Sequence, residues 1–98
     1  MKLIDLIYEY GGTYVQGKVD VVFWHDDLEY YLADGVEIDG GDGLDWSDFV
    51  DIPSFDFWFA EEEVGYMYAV DNRLRIEINM EDYEGDEQFA EYLKENFS

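Results

Sequence analysis

Residues 64–80 read Val-Gly-Tyr-Met-Tyr-Ala-Val-Asp-Asn-Arg-Leu-Arg-Ile-Glu-Ile-Asn-Met, the plainest structural signal in the chain. From residue 73 onward, polar and apolar side chains alternate strictly. Leu74, Ile76 and Ile78 lie opposite Arg73, Arg75, Glu77 and Asn79. A period of two marks a strand with one buried face. The run before it, 64–70, is rich in aromatic residues, as strands are. Asp71-Asn72 between them marks a tight hairpin.

Upstream, Lys18–Trp24 (KVDVVFW) reads as a strand with Val19, Val21 and Phe23 on one face and Asp20, Val22 and Trp24 on the other. Gln16-Gly17 makes a plausible hairpin turn from a short strand at Thr13–Val15. Asp26-Asp27 is a polar break. Residues 28–33 and 36–38 then read as two strands around Ala33-Asp34-Gly35. Residues 39–48 (DGGDGLDWSD) form the clearest loop; Leu44, Trp46, Phe49 and Val50 suit a short helical turn that pins the segment to the core, closed by Pro53. The aromatic run FDFWFA (55–60) reads as a strand. Helical spacing appears at both ends. Leu3, Ile4, Ile7 and Tyr8 predict a short amphipathic helix over 2–10, stopped by Gly11-Gly12. Phe89, Tyr92, Leu93 and Phe97 predict another over 86–97, with Asp86 and Glu87 at its positive end. The expected architecture is α+β: a short N-terminal helix, an antiparallel sheet built as a meander of hairpins, and a C-terminal helix packed on the sheet. Residues 1–98 read as a single acidic domain.

The charge is the strongest functional signal. Asp and Glu number 26 against five Lys and Arg, a formal net charge of −21. Self-repulsion of that size opposes compaction and does nothing for the fold. Highly acidic chains are often disordered, but this one is 48% hydrophobic and contains seven Phe, nine Tyr and three Trp, enough apolar mass for a core. Duplex DNA carries one negative charge per about 1.7 Å of axis, so 21 charges match roughly 36 Å of duplex. A domain of this length measures about 30–35 Å across. The two charge densities agree.

The chain has no cysteine, which removes disulfides, thiolate metal sites and a cysteine nucleophile. Asp5 and Glu9 break the apolar character of the N-terminus, unlike a signal peptide. No apolar run approaches the ~18 residues of a membrane span. A cytoplasmic protein is expected, with a basic partner, no membrane association and no direct binding of nucleic acid.

Catalysis is not favoured. Among so many carboxylates some pair always looks suitable for acid–base work, and His25, beside Asp26-Asp27, reads as a surface residue. No nucleophile elbow, phosphate-binding glycine loop or His-based metal motif is present, and no cofactor is expected. Asp39, Asp42, Asp45 and Asp48 recur every third residue in a Gly-rich loop, but they do not follow the EF-hand pattern; a solvated acidic loop is the simpler reading. The acids read better as ligands for a protein partner. Neighbours on one strand face sit about 6.6–6.8 Å apart and those on one helix face about 5–6 Å, the scale of successive phosphates. Three rows stand out: Asp39, Asp42, Asp45 and Asp48 with Trp46; Glu61, Glu62 and Glu63; and Glu81, Asp82, Glu84, Asp86 and Glu87. Tyr30, Tyr31, Trp46, Trp58, Tyr66 and Tyr68 lie among or near these acids, and some of them should be exposed as interface anchors.

In size, charge, lack of cysteine and α+β reading, the chain resembles the phage-encoded DNA-mimic inhibitors, among them anti-restriction and anti-CRISPR proteins. The resemblance covers the whole chain as composition and charge pattern. It implies a non-enzymatic inhibitor in the host cytoplasm whose carboxylates occupy the DNA-binding surface of a nuclease or CRISPR effector. An immunity protein that neutralises a basic toxin is the alternative; a halophilic domain without a partner is a third reading, and a homodimer is compatible with all three. The halophilic reading is tested by circular dichroism: a mimic is expected to keep its full signal in dilute buffer, whereas a halophilic domain gains structure only in molar salt.

Overall fold

The computed structural model describes residues 1–7, 17–38 and 46–97. Within them run α1 (Leu3–Asp5), β1 (Gly17–His25), β2 (Leu28–Ile38), a 3-10 turn (Trp46–Phe49), α2 (Phe55–Trp58), β3 (Val64–Val70), β4 (Arg73–Ile78), a second 3-10 turn (Glu81–Tyr83) and α3 (Glu87–Asn96). The expected turn at Gln16-Gly17 and strand at Thr13–Val15 fall outside the described residues, apart from Gly17, as does the predicted N-terminal helix beyond residue 7.

Two hairpins build the sheet, and both use the same turn chemistry. Asp26 and Asp27 have φ of 51° and 63°, and Asp71 and Asn72 have 50° and 64°. Paired left-handed residues make the two-residue turn whose twist matches that of flanking strands, and Asp and Asn tolerate that region better than most residues. The strands pair directly beyond each turn, His25 with Leu28 and Val70 with Arg73.

The sheet is not a meander. Its strand order is β2-β1-β4-β3, so the two hairpins meet through a parallel pairing of β1 with β4, and the sheet is mixed. Parallel strands need a long crossover. The segment between β2 and β3, which contains α2, supplies it. The physical reason lies in β1. Val19, Val21 and Phe23 are buried on one face, but Asp20 and Val22 are buried on the other as well. A strand covered on both faces belongs in the centre of a sheet, and Val21-Val22-Phe23 is the near-continuous apolar run such strands carry.

Two further expectations are corrected. The aromatic run 55–60 is helical rather than extended: Phe59 N–H donates to Phe55 O at 2.9 Å. Phe55 and Phe59, one turn apart, are buried, whereas Phe57 between them is 73% exposed. A strand would have turned all three to the same side. Secondly, residues 28–38 form one strand that passes through Ala33-Asp34-Gly35 as a bulge, with a shifted register against β1. Gly35 has φ +64° there, and a Cβ on it would lie 3.2 Å from the Arg73 guanidinium. Its N–H donates to Asp20 Oδ1 at 2.6 Å, and Arg73 Nη1 reaches the same oxygen at 3.1 Å. Asp20, 4% exposed, thus ties β1, β2 and β4 together.

Phe23 is the hub of the core. Its ring stacks on Tyr30 at 5.1 Å and lies 5.1 Å from Phe59, 6.0 Å from Phe89 and 5.8 Å from Phe97. Such pairs contribute about 0.5–1.5 kcal/mol each beyond area burial. The C-terminal helix appears where expected. Asp86 caps α3 by accepting from Gln88 N–H at 2.9 Å and Phe89 N–H at 3.1 Å, and the helix places Phe89, Tyr92 and Leu93 in the cluster that holds Phe23. Tyr92 donates its hydroxyl to Pro53 O, joining α3 to the crossover segment.

Asp20→Ala leaves the Gly35 amide and the Arg73 guanidinium without their shared acceptor. It is expected to cost about 2–3 kcal/mol in urea unfolding. A loss under about 0.5 kcal/mol, the range of ordinary surface changes, would show that this carboxylate is not the tie between the strands.

Candidate interaction surface

Of the first predicted row, Asp39, Asp42 and Asp45 lie outside the described residues. Trp46 opens the 3-10 turn Trp46–Phe49, and Asp48 stands half-buried within it. The other two rows are brought together. Asn79 N–H donates to Glu63 O at 3.0 Å, which lays residues 61–63 against the segment leading into Glu81–Tyr83. Across this seam, the Tyr83 hydroxyl hydrogen-bonds the Glu62 carboxylate.

The electrostatics of the seam follow from this packing. Partial burial pushes the Glu62 pKa up; the Tyr83 hydrogen bond opposes this, while Asp82 and Glu63 add to it. Tyr83 is pushed up to about 12, chiefly by burial, then by its bond to Glu62. Glu63 is held below its usual range by its hydrogen bond to the N-terminal ammonium, 2.8 Å away. Glu61 faces Lys2 Nζ at 3.4 Å in an exposed pair. Asp86 is committed to capping α3, whereas Glu81, Asp82, Glu84 and Glu87 are exposed.

Beside the seam opens a cleft of about 670 Å³ that the sequence reading missed. Glu81 and Glu84 line it from one side and Asp26 and Asp27 from the β1–β2 turn, with Glu77, Trp24 and Tyr66 along its sheet wall. Trp24 Nε1 donates to Glu77 Oε1 at 2.8 Å, fixing the indole at the rim. Among the described residues, no lysine or arginine lines the cleft. The available signal was the hairpin turn itself, because two charged residues at a two-residue turn must project from the sheet end.

His25 corrects another expectation. It is buried, not superficial, with its ring edge-on to Phe89 at 5.2 Å, Nε2 at 3.3 Å from Tyr83 O and Nδ1 at 3.5 Å from Asp26 Oδ2. The imidazole packs the core beneath the cleft. Among the aromatic residues expected near the acids, Tyr31, Tyr66 and Tyr68 are exposed, while Tyr30 and Trp58 pack against the core. Trp24 and Phe57, not expected among the anchors, are exposed as well. Trp24, Tyr31, Tyr66 and Tyr68 share one sheet face with Arg73 and Arg75 by strand register. Both arginines are occupied there, Arg73 by Asp20 and Asp34, Arg75 by Glu29 and the Tyr31 hydroxyl. Burial works against the Arg75 charge, but the hydrogen bonds it donates to Tyr31 and Glu29 outweigh it, and its pKa is raised.

The arrangement is a carboxylate surface edged by flat aromatic rings. Guanidinium and ammonium groups are what such a surface binds, by charge-assisted hydrogen bonds and by stacking on the rings. No family model, curated protein or solved structure matches the chain.

Because the folded state raises the Glu62 pKa, protonation of this group favours the fold, and its contribution is lost as pH rises through the raised value. Glu62→Gln keeps an acceptor for Tyr83 and removes the charge. The variant is expected to melt above the wild type at pH 7, with the gap closing as the pH falls below the usual glutamate range. Thermal melts across pH test this, and a variant less stable at pH 7 contradicts it.

Proposed function

We propose that this chain is a non-enzymatic inhibitor that presents a DNA-like surface to a basic, DNA-handling protein in the cytoplasm of a host cell. A nuclease or CRISPR effector subunit of the kind that phage DNA mimics block is the natural target class. The observation that carries the reading is the junction of acidic segments distant in sequence, 26–27, 61–63 and 81–84, around one cleft and seam. Acids needed only for solubility have no reason to converge while both arginines are spent elsewhere in the sheet. The molecule is 41 Å long, close to the roughly 36 Å of duplex that carries an equal charge. Lys and Arg groups that grip phosphates would meet carboxylates at comparable spacing, which steers the encounter and sets orientation. The exposed Trp24 and Tyr66 would supply the desolvated anchors on which interfaces depend.

The test is capture of partners from host lysate on the immobilised protein, followed by elution with duplex DNA. A retained DNA-handling protein is expected to be released by duplex in excess and to bind less as salt rises. Retention that persists unchanged in excess duplex sinks direct mimicry. Joint substitution of Glu81, Asp82 and Glu84 by Lys is expected to abolish capture while changing stability by no more than about 0.5 kcal/mol, as exposed sites usually do.

A further inference from the structure

The sheet has two edges, and the sequence treats them differently. β2 carries Glu29, Asp34 and Glu37 and the Gly35 bulge, the devices by which natural edges discourage pairing with another strand. β3, on the opposite edge, has none of these charges: Val64–Val70 contains no Asp, Glu, Lys or Arg in a chain with 31 of them. Residues 65–70 are exposed on both faces. Irregularity is confined to Gly65, which leaves Tyr66–Val70 as a clean ladder against β4.

The start of this edge already accepts a strand. Val64 N–H donates to Met1 O at 2.8 Å and Leu3 N–H to Glu62 O at 2.9 Å, and Lys2 bridges Glu63 in antiparallel sense. From Tyr66 to Val70, among the described residues, the outward N–H and C=O groups have no strand partner. We infer that this edge is a second interaction site, where an extended segment of the basic partner adds as a fifth strand.

Charge selects the occupant. The clean edge is bracketed by Glu61, Glu62 and Glu63 at one end and Asp71 at the other. A second copy pairing antiparallel brings the glutamate end of one β3 beside the Asp71 end of the other, twice. Parallel pairing sets glutamates against glutamates. Like charges opposed across strands destabilise the ladder. The fitting segment is instead an uncharged, β-prone stretch of about five residues, roughly 17 Å long, with Lys or Arg at each end. Backbone hydrogen bonds give the affinity; the terminal cations give direction and register. This site rests on the reading of the partner as basic, and it is separate from the acidic cleft.

The probe is the peptide Arg-Arg-Thr-Val-Thr-Val-Thr-Arg-Arg, compared with the same peptide N-methylated at alternate amides. The two have equal charge and differ in the ability to form a ladder. In NMR titration of the nitrogen-15-labelled protein, the first peptide is expected to shift amides of Tyr66–Val70 and slow their exchange. The methylated peptide should bind at least about tenfold more weakly, the equivalent of one or two hydrogen bonds. Three results overturn the site: equal binding of both peptides with shifts spread over the acids, no binding of either, or self-association of the protein through 66–70. Neither DNA nor the inhibited protein enters the titration. If duplex fails to compete for captured partners while the peptides discriminate, the inhibitor reading falls and the edge site stands; in the reverse case the edge site alone falls.

Discussion

Two arginines on one strand let so acidic a sheet form. Arg73 and Arg75 stand on the face of β4 that points away from the Phe23 core and take carboxylates from β1 and from β2 beyond it: Asp20 and Asp34 for one, Glu29 for the other. Without them the parallel contact of β1 and β4 would press Asp20 into a buried position with no countercharge. An uncompensated buried carboxylate is costly enough to neutralise or to unfold its surroundings. The rest of the molecule depends on this contact, because among the described residues it is the strand pairing that joins the two hairpins. Among the acids not consumed by it are those at the hairpin turn 26–27 and in 61–63 and 81–84, where the cleft and seam are found.

Local pattern carried much of this fold into the sequence. The alternation of 73–78 and the Asp71-Asn72 turn define β3 and β4 almost residue for residue, and Asp86 with the spacing of Phe89, Tyr92 and Leu93 defines α3. What failed was non-local. Nothing in a window of seven residues distinguishes a central strand that pairs in parallel from a hairpin strand, except that Val22 makes the apolar run of β1 continuous. The 55–60 run misled because aromatic content was weighed above spacing; Phe55 and Phe59, four apart, carry the helical period, and Phe57 breaks the strand one.

The candidate surface was legible in part for the same reason. Clusters contiguous in sequence, such as 61–63 and 81–87, were visible, and the fold places parts of them against each other. The share of Asp26, Asp27 and Glu77 was hidden, since each stood alone as a turn or strand residue until β1 and β4 were set side by side. His25 shows the opposite error. Its acidic neighbours suggested water, yet the strand turns the ring towards Phe89 and leaves Asp26 and Asp27 outside.

The two hairpin turns have a consequence for how this protein would respond to selection for hardiness. Four non-glycine residues hold left-handed backbone there, at a steric cost of about 1 kcal/mol or more apiece. Glycine at the second position of each turn would relieve that cost, and many proteins use it. Asp27 gives up that ease and keeps a carboxylate at the mouth of the cleft. Such a molecule holds a reserve of unclaimed stability. An engineer seeking a more durable scaffold would replace Asp27 with glycine first, and would thereby dull the very rim on which the charge is displayed.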